Sequence, residues 1–380
     1  MSYYVTLTGG KNNAGDFLIK HCASNLLKEF RTDRELVDLN AWEPFDNEKL
    51  EIVNKSNALL LTGGPALQYN MYPSIYKLTD DLNKIKVPII SMGIGWKSLN
   101  GDWNDIKDYK LSRETKKLVA RMAESGYQSS IRDYHTRHVL EKEGMDNVLM
   151  TGCPALYSSN HIGKRIEENA KPKKVYFSLG VGFAVSLAME QSVKEIVLKL
   201  KESFSDAEFS VKFHHSVDKS FFSTPGANSK LYYKNVEFEK WLETMGIDYE
   251  DISGSAENLI NCYRDCDFHI GYRVHAHIFM SSISMPSILL AEDGRGRALK
   301  YVMGGVILDS YVKREDSLIK KVAGKVGLNS DPFVVDDYFP ELLISTINSE
   351  FNTGMPRLKS VRNNIDLHFN LMKVFINQLP

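Results

Sequence analysis

At 380 residues the chain is too long for one compact core and comfortable for two, since domains usually hold about 100–200 residues. Hydrophobic residues at 43% and charged residues at 25% exclude a disordered chain, and a formal net charge of −1 excludes a global field drawing the protein to nucleic acid. Four cysteines (Cys22, Cys153, Cys262 and Cys266) in so long a chain do not read as a disulfide framework.

The N-terminal MSYYVTLTGG enters a strand at once, without the pattern of a signal peptide. The most apolar runs, LLLTGG and PSILLA, fall far short of the ~20 residues of a membrane helix. The expectation is a cytoplasmic protein whose membrane contact is at most peripheral. From there one unit repeats: a short apolar run, glycines, then a helical pattern. Tyr3–Thr8 leads into Gly9-Gly10 and a helix from about Asp16 to Phe30. Ala58–Thr62 leads into Gly63-Gly64, with Pro65 suited to a first helical position, where its missing N–H costs nothing. Val87–Ser91 leads into Gly93-Ile94-Gly95. Gln128–Ile131 precedes Arg132-Asp133 and a helix to about Glu143, and Val148–Thr151 ends at Gly152-Cys153-Pro154. Such alternation predicts crossovers and a mainly parallel sheet over residues 1–157.

Residues 158–174 are polar, carry the basic AKPKK and show no strand pattern, which predicts an interdomain linker. The unit restarts over residues 175–355. Strand Val175–Leu179 with Gly180-Val181-Gly182 is followed by a helix from Leu187 to Phe204 and strand Phe209–His214. Residues 216–236, rich in Ser, Gly and Lys, read as a mobile surface loop. A helix around Ala256–Cys266, strand Asp267–Gly271, a helix from Arg273 to Ser284 and strand Ser287–Ala291 follow. Residues 356–380 read as a long helix that could pack back across the first domain. The predicted architecture is α/β, two Rossmann-like domains facing across a cleft, where ligands of open α/β sheets bind.

Chemistry is sought at the strand ends facing that cleft. In Gly271-Tyr272-Arg273-Val274-His275-Ala276-His277 a guanidinium and an imidazole open a helix, a ready anion site with a proton carrier. Arg273 capping a carbonyl and His275 packing under a loop is the bland alternative, and His277 reads as support or core. Arg132 stands at a matching junction in the other half, where it either helps clamp one dianionic ligand or pairs locally with Asp133. The loop from Gly9 and Gly10 through Asn13 and Gly15 to Asp16 is neither a P-loop nor G-x-G-x-x-G; Asp16 is a helix cap or a base for a substrate hydroxyl. Gly63, Gly64, Gly93 and Gly95 allow close backbone approach to a ligand or merely tight turns. In Glu292-Asp293-Gly294-Arg295-Gly296-Arg297 the arginines could hold a phosphate or carboxylate, the acids a ribose diol, or all could be solvated. Cys262, Cys266 and His269 lack a second ligand pair at zinc spacing, so no metal is expected.

In order and spacing, Asn13-Ala14-Gly15-Asp16, Thr62-Gly63-Gly64, Gly93-Ile94-Gly95, Ser130-Ile131-Arg132-Asp133, Thr151-Gly152-Cys153-Pro154-Ala155 and Arg273-Val274-His275 with Met285-Pro286 resemble the polysaccharide pyruvyl transferase family across roughly residues 9–305. The resemblance implies a fold like that of GT-B glycosyltransferases. It also implies transfer of a pyruvyl group from phosphoenolpyruvate to a sugar of a surface polysaccharide or its lipid-linked precursor, forming a ketal. The acceptor is expected on the first domain and the donor on the second, with no cofactor. By motif, Arg273 and His275 take the donor-binding and acid/base positions, and Arg132 is a second donor contact. The chain departs from the family at Cys153, where an Asp is usual, and in lacking a lysine after the penultimate strand, where Arg295 or Arg297 could substitute. The alternatives are a GT-B glycosyltransferase using a nucleotide sugar, with Glu292 or Asp293 on the ribose, and an inactive glycan- or metabolite-binding protein.

Overall fold

The computed structural model describes residues 2–9, 13–98, 100–168, 171–223, 228–313, 331 and 333–380. Its first half holds β1 (Tyr3–Thr8), α1 (Ala14–Phe30), β2 (Glu35–Asn40), α2 (Asn47–Asn54), β3 (Ala58–Thr62), β4 (Ile89–Met92), α3 (Trp103–Lys107), α4 (Arg113–Ala123), β5 (Ser129–Ile131), α5 (Tyr134–Lys142) and β6 (Val148–Met150). The four-stranded sheet runs β2-β1-β3-β4, all parallel, and the parallel pair β5-β6 abuts the β4 side through Gly93 N–H to Ser130 O and Arg132 N–H to Ile94 O. The central strand β3 is buried at every position, as a parallel strand covered on both faces must be, and therefore reads as an unbroken apolar run. Each leucine among Leu59, Leu60 and Leu61 contributes about 1.5–3 kcal/mol by burial.

The second half contains β7 (Lys174–Ser178), α6 (Leu187–Ser203), β8 (Glu208–Phe213), α7 (Ser229–Thr244), β9 (Asp248–Asp251), α8 (Ala256–Arg264), β10 (Phe268–Gly271), α9 (Val274–Ser282), β11 (Ser287–Ala291), α10 (Gly294–Leu299) and β12 (Val306–Asp309). Its six strands run β12-β11-β10-β7-β8-β9, all parallel, the order of a doubly wound dinucleotide-type sheet. The expected surface loop over 216–236 needs correction: α7 starts at Ser229, capped by the Asn228 side chain, and buries Leu231, Tyr232, Asn235, Phe238 and Leu242. Its polar first turn hid that amphipathic face.

The two halves share a seam. Helix α1 packs on α8 and α9, so Leu259, Tyr263, Ile278 and Met280 join the core built on the first sheet. After α11 (Phe339–Asn352), the last helix α12 (Pro356–Asn377) crosses back onto the first half. There Phe369 meets Phe30 and Tyr157 at ring distances of 5.9 and 5.4 Å, and the Tyr4 hydroxyl donates to Pro380 O at 2.7 Å.

Candidate functional site

Each parallel sheet has a switch point where its strand order reverses, and open α/β sheets bind ligands outside the carboxyl ends of the strands there. In the first sheet this point lies between β1 and β3, bordered by Gly9, Gly63 and Gly64; in the second it lies between β7 and β10, bordered by Leu179–Gly182 and Arg273. The seam sets the two points against each other. A methyl group at Gly15, in the first turn of α1, would overlap the His275 imidazole from the other half. Glycine at 15 is what lets the second half close to that distance.

Around this contact a charged cluster forms. Asp16 feels Arg295 and Arg132; His275 feels Arg295, Arg132, Arg273 and Asp293. Burial pushes the Asp16 carboxyl up, and the two guanidinium groups only partly offset it. Burial and the three arginines together hold His275 down at about 3, so the imidazole is neutral at physiological pH. Its Nε2 is buried and has no hydrogen-bond partner. Arg132 is 1% exposed; its Nε reaches Asp133 at 3.4 Å and Nη2 the Trp96 carbonyl at 3.4 Å, while Nη1 has no partner. That guanidinium lies flat on Gly95, where a side chain would collide with it. Arg273 is half-buried, donates through Nε to Leu179 O at 2.7 Å, and is lowered to about 10 by burial.

Helix α9 opens at this cluster with no side chain capping it. The neighbouring backbone donors are already taken by the chain itself. Glu292 accepts from Val181 N–H and Gly182 N–H, both at 2.9 Å, and burial raises its carboxyl. Asp293 caps α10, accepting from Arg295 N–H at 2.9 Å, and also takes the Arg295 guanidinium. Burial pushes Asp293 up, but Arg295 outweighs it and holds the carboxylate below its usual range. Glycines at 180 and 182 make room for the Glu292 carboxylate, which a side chain at 180 would strike.

Asp16, Arg132, Arg273, His275 and Arg295 thus come together. Arg297 does not: its guanidinium holds Asp309 at 3.0 Å, Tyr311 O at 2.6 Å and the Asn100 carbonyl, tying the first-half loop to α10. Asp16 is not the cap of α1, because Asn13 fills that role by accepting from Gly15 N–H at 3.1 Å. Arg132 and Asp133 do pair locally, and Asp133 caps α5, yet one Arg132 nitrogen stays free. Gly9, Gly63 and Gly64 line a cavity beside Asp16, whereas Gly93 packs on Pro154. Gly10 lies outside the described residues. Sequence reasoning missed His215. It sits just beyond β8, feels Arg273 and Arg295, and is held at about 3, chiefly by burial. Its place at a strand's carboxyl end was the available signal. Cys153 is buried next to Arg132 and Asp16, its thiol pushed up to about 11 by burial. Among the described residues no group of three or more His, Cys, Asp and Glu could hold a metal, and no helix is long and apolar enough to cross a membrane.

The sequence model of the polysaccharide pyruvyl transferases matches residues 13–293, well over half of the chain and all of the clustered residues but Arg295. The chain belongs to the polysaccharide pyruvyl transferase family. As a family member it is an enzyme of polysaccharide modification. No curated protein matches it. Among solved structures, a UDP-GlcNAc 2-epimerase from Neisseria meningitidis bound to UDP-GlcNAc aligns at 10% identity over 99% of this chain and 99% of that one, with a TM-score of 0.51. A MnaA–UDP structure from S. aureus aligns at 13% identity over 93% and 98%, with a TM-score of 0.46. A 2-epimerase described as putative, from Listeria monocytogenes, gives 12% identity, 93% and 97%, and 0.46. The first of these speaks to the fold alone: this family member has the GT-B-like arrangement of two Rossmann-like domains facing across a cleft.

Proposed function

We propose that the protein transfers a pyruvyl group from phosphoenolpyruvate to a sugar of a surface polysaccharide or its precursor, closing a pyruvate ketal. The observation that carries this reading is the uncapped start of α9. It is flanked by Arg273 and the orphaned His275 Nε2 and faced by the free Arg132 nitrogen, while the adjacent backbone amides hold Glu292 and Asp293. One small dianion fits that donor set. A diphosphate would meet two carboxylates.

In the transfer, Arg273 and the α9 amides take the phosphate, and Arg132 takes the carboxylate. His275 starts neutral; a doubly negative donor against it raises its proton affinity, so it gains a proton on binding and delivers it to the methylene carbon. One acceptor hydroxyl bonds to the central carbon as Asp16 takes its proton. A second hydroxyl then displaces phosphate, which leaves with that hydroxyl's proton. Two O–H bonds, the C=C π bond and the ester C–O bond break; two C–O bonds, one C–H bond and one O–H bond on phosphate form; Asp16 returns to solvent the proton that His275 draws from it, and no oxidant is needed.

Thermal denaturation tests the donor. Phosphoenolpyruvate at 100 times its Kd should stabilise the protein by about 2.7 kcal/mol, and a panel of nucleotide sugars should not. Stabilisation by a nucleotide sugar alone overturns the reading. His275→Ala should keep the fold and lose phosphate release; unchanged turnover removes His275 from the mechanism.

A further inference from the structure

Where α9 packs on the second sheet, a line of hydrogen bonds joins one side chain of the helix to three adjacent strands. His269 on β10 and Ser287 on β11 are register partners, with Nδ1 and Oγ 2.7 Å apart. Ser287 Oγ also meets His277 Nδ1, from the helix, at 2.8 Å. On its other side the His269 ring reaches Ser178 Oγ, at the end of β7, through Nε2 at 2.8 Å. Ser178 in turn accepts the Arg273 N–H on Oγ at 3.0 Å and the Tyr272 N–H on its carbonyl at 2.9 Å. The line therefore ends on the two residues that lead into α9 at the proposed donor site. All four side chains are buried. Gly271 permits the approach: its φ is +148°, and a Cβ there would lie 2.5 Å from Ser178 Oγ.

Proton counting gives the line a direction. Burial holds both imidazoles far below their ordinary value, so each is neutral and carries one N–H. Ser287 has one proton to give and cannot donate to both rings. With the His269 proton on Nδ1, either the His277 Nε2–H or the Ser287 O–H would lack an acceptor among the described residues. With that proton on Nε2, only a lone pair on His277 is left bare, the milder defect for a buried group. Ser178 then accepts from both His269 and Arg273. Its own proton goes to the Tyr263 hydroxyl, which donates onward to His214 Nε2 at 2.7 Å.

We infer that Ser178 and His269 are positioning residues for the proposed transfer, fixing the end of β7 against the residues that enter α9. The Arg273 side chain is referenced to the same strand end, through Leu179 O at 2.7 Å and Gly180 O at 3.5 Å. Ser178 and His269 act on the donor only through Arg273 and the helix start. A helix start already in place loses little binding energy to ordering when an anion arrives. The inference rests on the donor reading, and inorganic phosphate, an anion without an enolpyruvyl group, separates the two in the test.

Titration calorimetry on the full chain, with circular dichroism to confirm folding, measures phosphoenolpyruvate and inorganic phosphate binding in wild type and three variants. Ser178→Ala removes the acceptor and should weaken both anions about fivefold, the worth of one hydrogen bond. His269→Leu should do the same, whereas His269→Gln, whose side-chain amide donates to Ser178, should restore most of the affinity. A residue that merely filled space would show no such difference between Leu and Gln. If His269→Leu does not fold, Ser178→Ala alone decides. Unchanged affinities in Ser178→Ala, or equal affinities in folded His269→Leu and His269→Gln, overturn the positioning role and leave the donor reading standing. Phosphate binding that weakens in the variants, with no phosphoenolpyruvate binding in the wild type, overturns the donor and keeps the positioning role. A wild type that binds neither anion overturns both.

Discussion

Glu292 sits where a phosphate would be expected, its carboxylate against two backbone N–H groups of the glycine-rich loop after β7 and beside Arg273. Removing the charge should therefore widen what the second half accepts. Glu292→Gln leaves an acceptor in place without its charge, and Glu292→Ala empties the amides. Affinity for inorganic pyrophosphate and UDP, read by titration calorimetry, should rise in the order wild type, Gln, Ala. About tenfold for Ala corresponds to ~1.4 kcal/mol. Equal affinities across the series would show that Glu292 does not discriminate. None of this was legible in the residues, since Gly180-Val181-Gly182 and Glu292 lie some 110 positions apart. Arg273 and His275 were legible, because a strand end and a helix start adjoin them in the sequence itself.

At the scale of elements, the long C-terminal helix acts as a strap through Arg362. The guanidinium is 2% exposed and donates to Ser281 O at 2.8 Å, Ser282 O at 3.3 Å, His161 O at 2.7 Å and Asp366 at 2.9 Å. It thus neutralises the carboxyl end of α9, whose other end carries the proposed donor site, and fastens the segment around His161 to it. Arg362→Met should lower unfolding stability by about 2–4 kcal/mol, through the loss of charge-assisted bonds and the carbonyls left unpaired. Urea titration checks it, and a change below 1 kcal/mol (well under one such bond) would remove the strap. Among elements, β3 and β11 stand with the bounds their composition gives, Ala58–Thr62 and Ser287–Ala291, because both are buried strands with unbroken apolar runs. The edge strand β2 and helix α7 were passed over, the first because it is nowhere fully buried and so carries mixed residues, the second because polar residues begin it.

For the molecule as a whole, buried neutral histidines tie stability to pH. His214 and His269 are held well below their ordinary value, and His275 and His277 at about 3, with burial the main cause in each. The unfolded chain binds these protons near pH 6.5 and the folded one does not. Between those values the unfolded state holds more protons, so stability falls as pH drops. Each histidine adds up to about 1.4 kcal/mol per pH unit. The melting temperature should be highest above pH 7 and fall steeply below about 6.5; a flat profile from pH 7 to 5 would contradict this arrangement. The sequence by itself determined the parallel sheets, the glycine-ended strands and the arginine–histidine pair opening a helix, because periodicity, turn residues and helix starts act over a few neighbouring positions. Only the tertiary structure decided that Gly15 and His275 touch, that the chain's own carboxylates fill two of the anion sites, and that Tyr76 ends buried with its hydroxyl unpaired. Those outcomes depend on which distant surfaces meet at the seam and on how much water is expelled there.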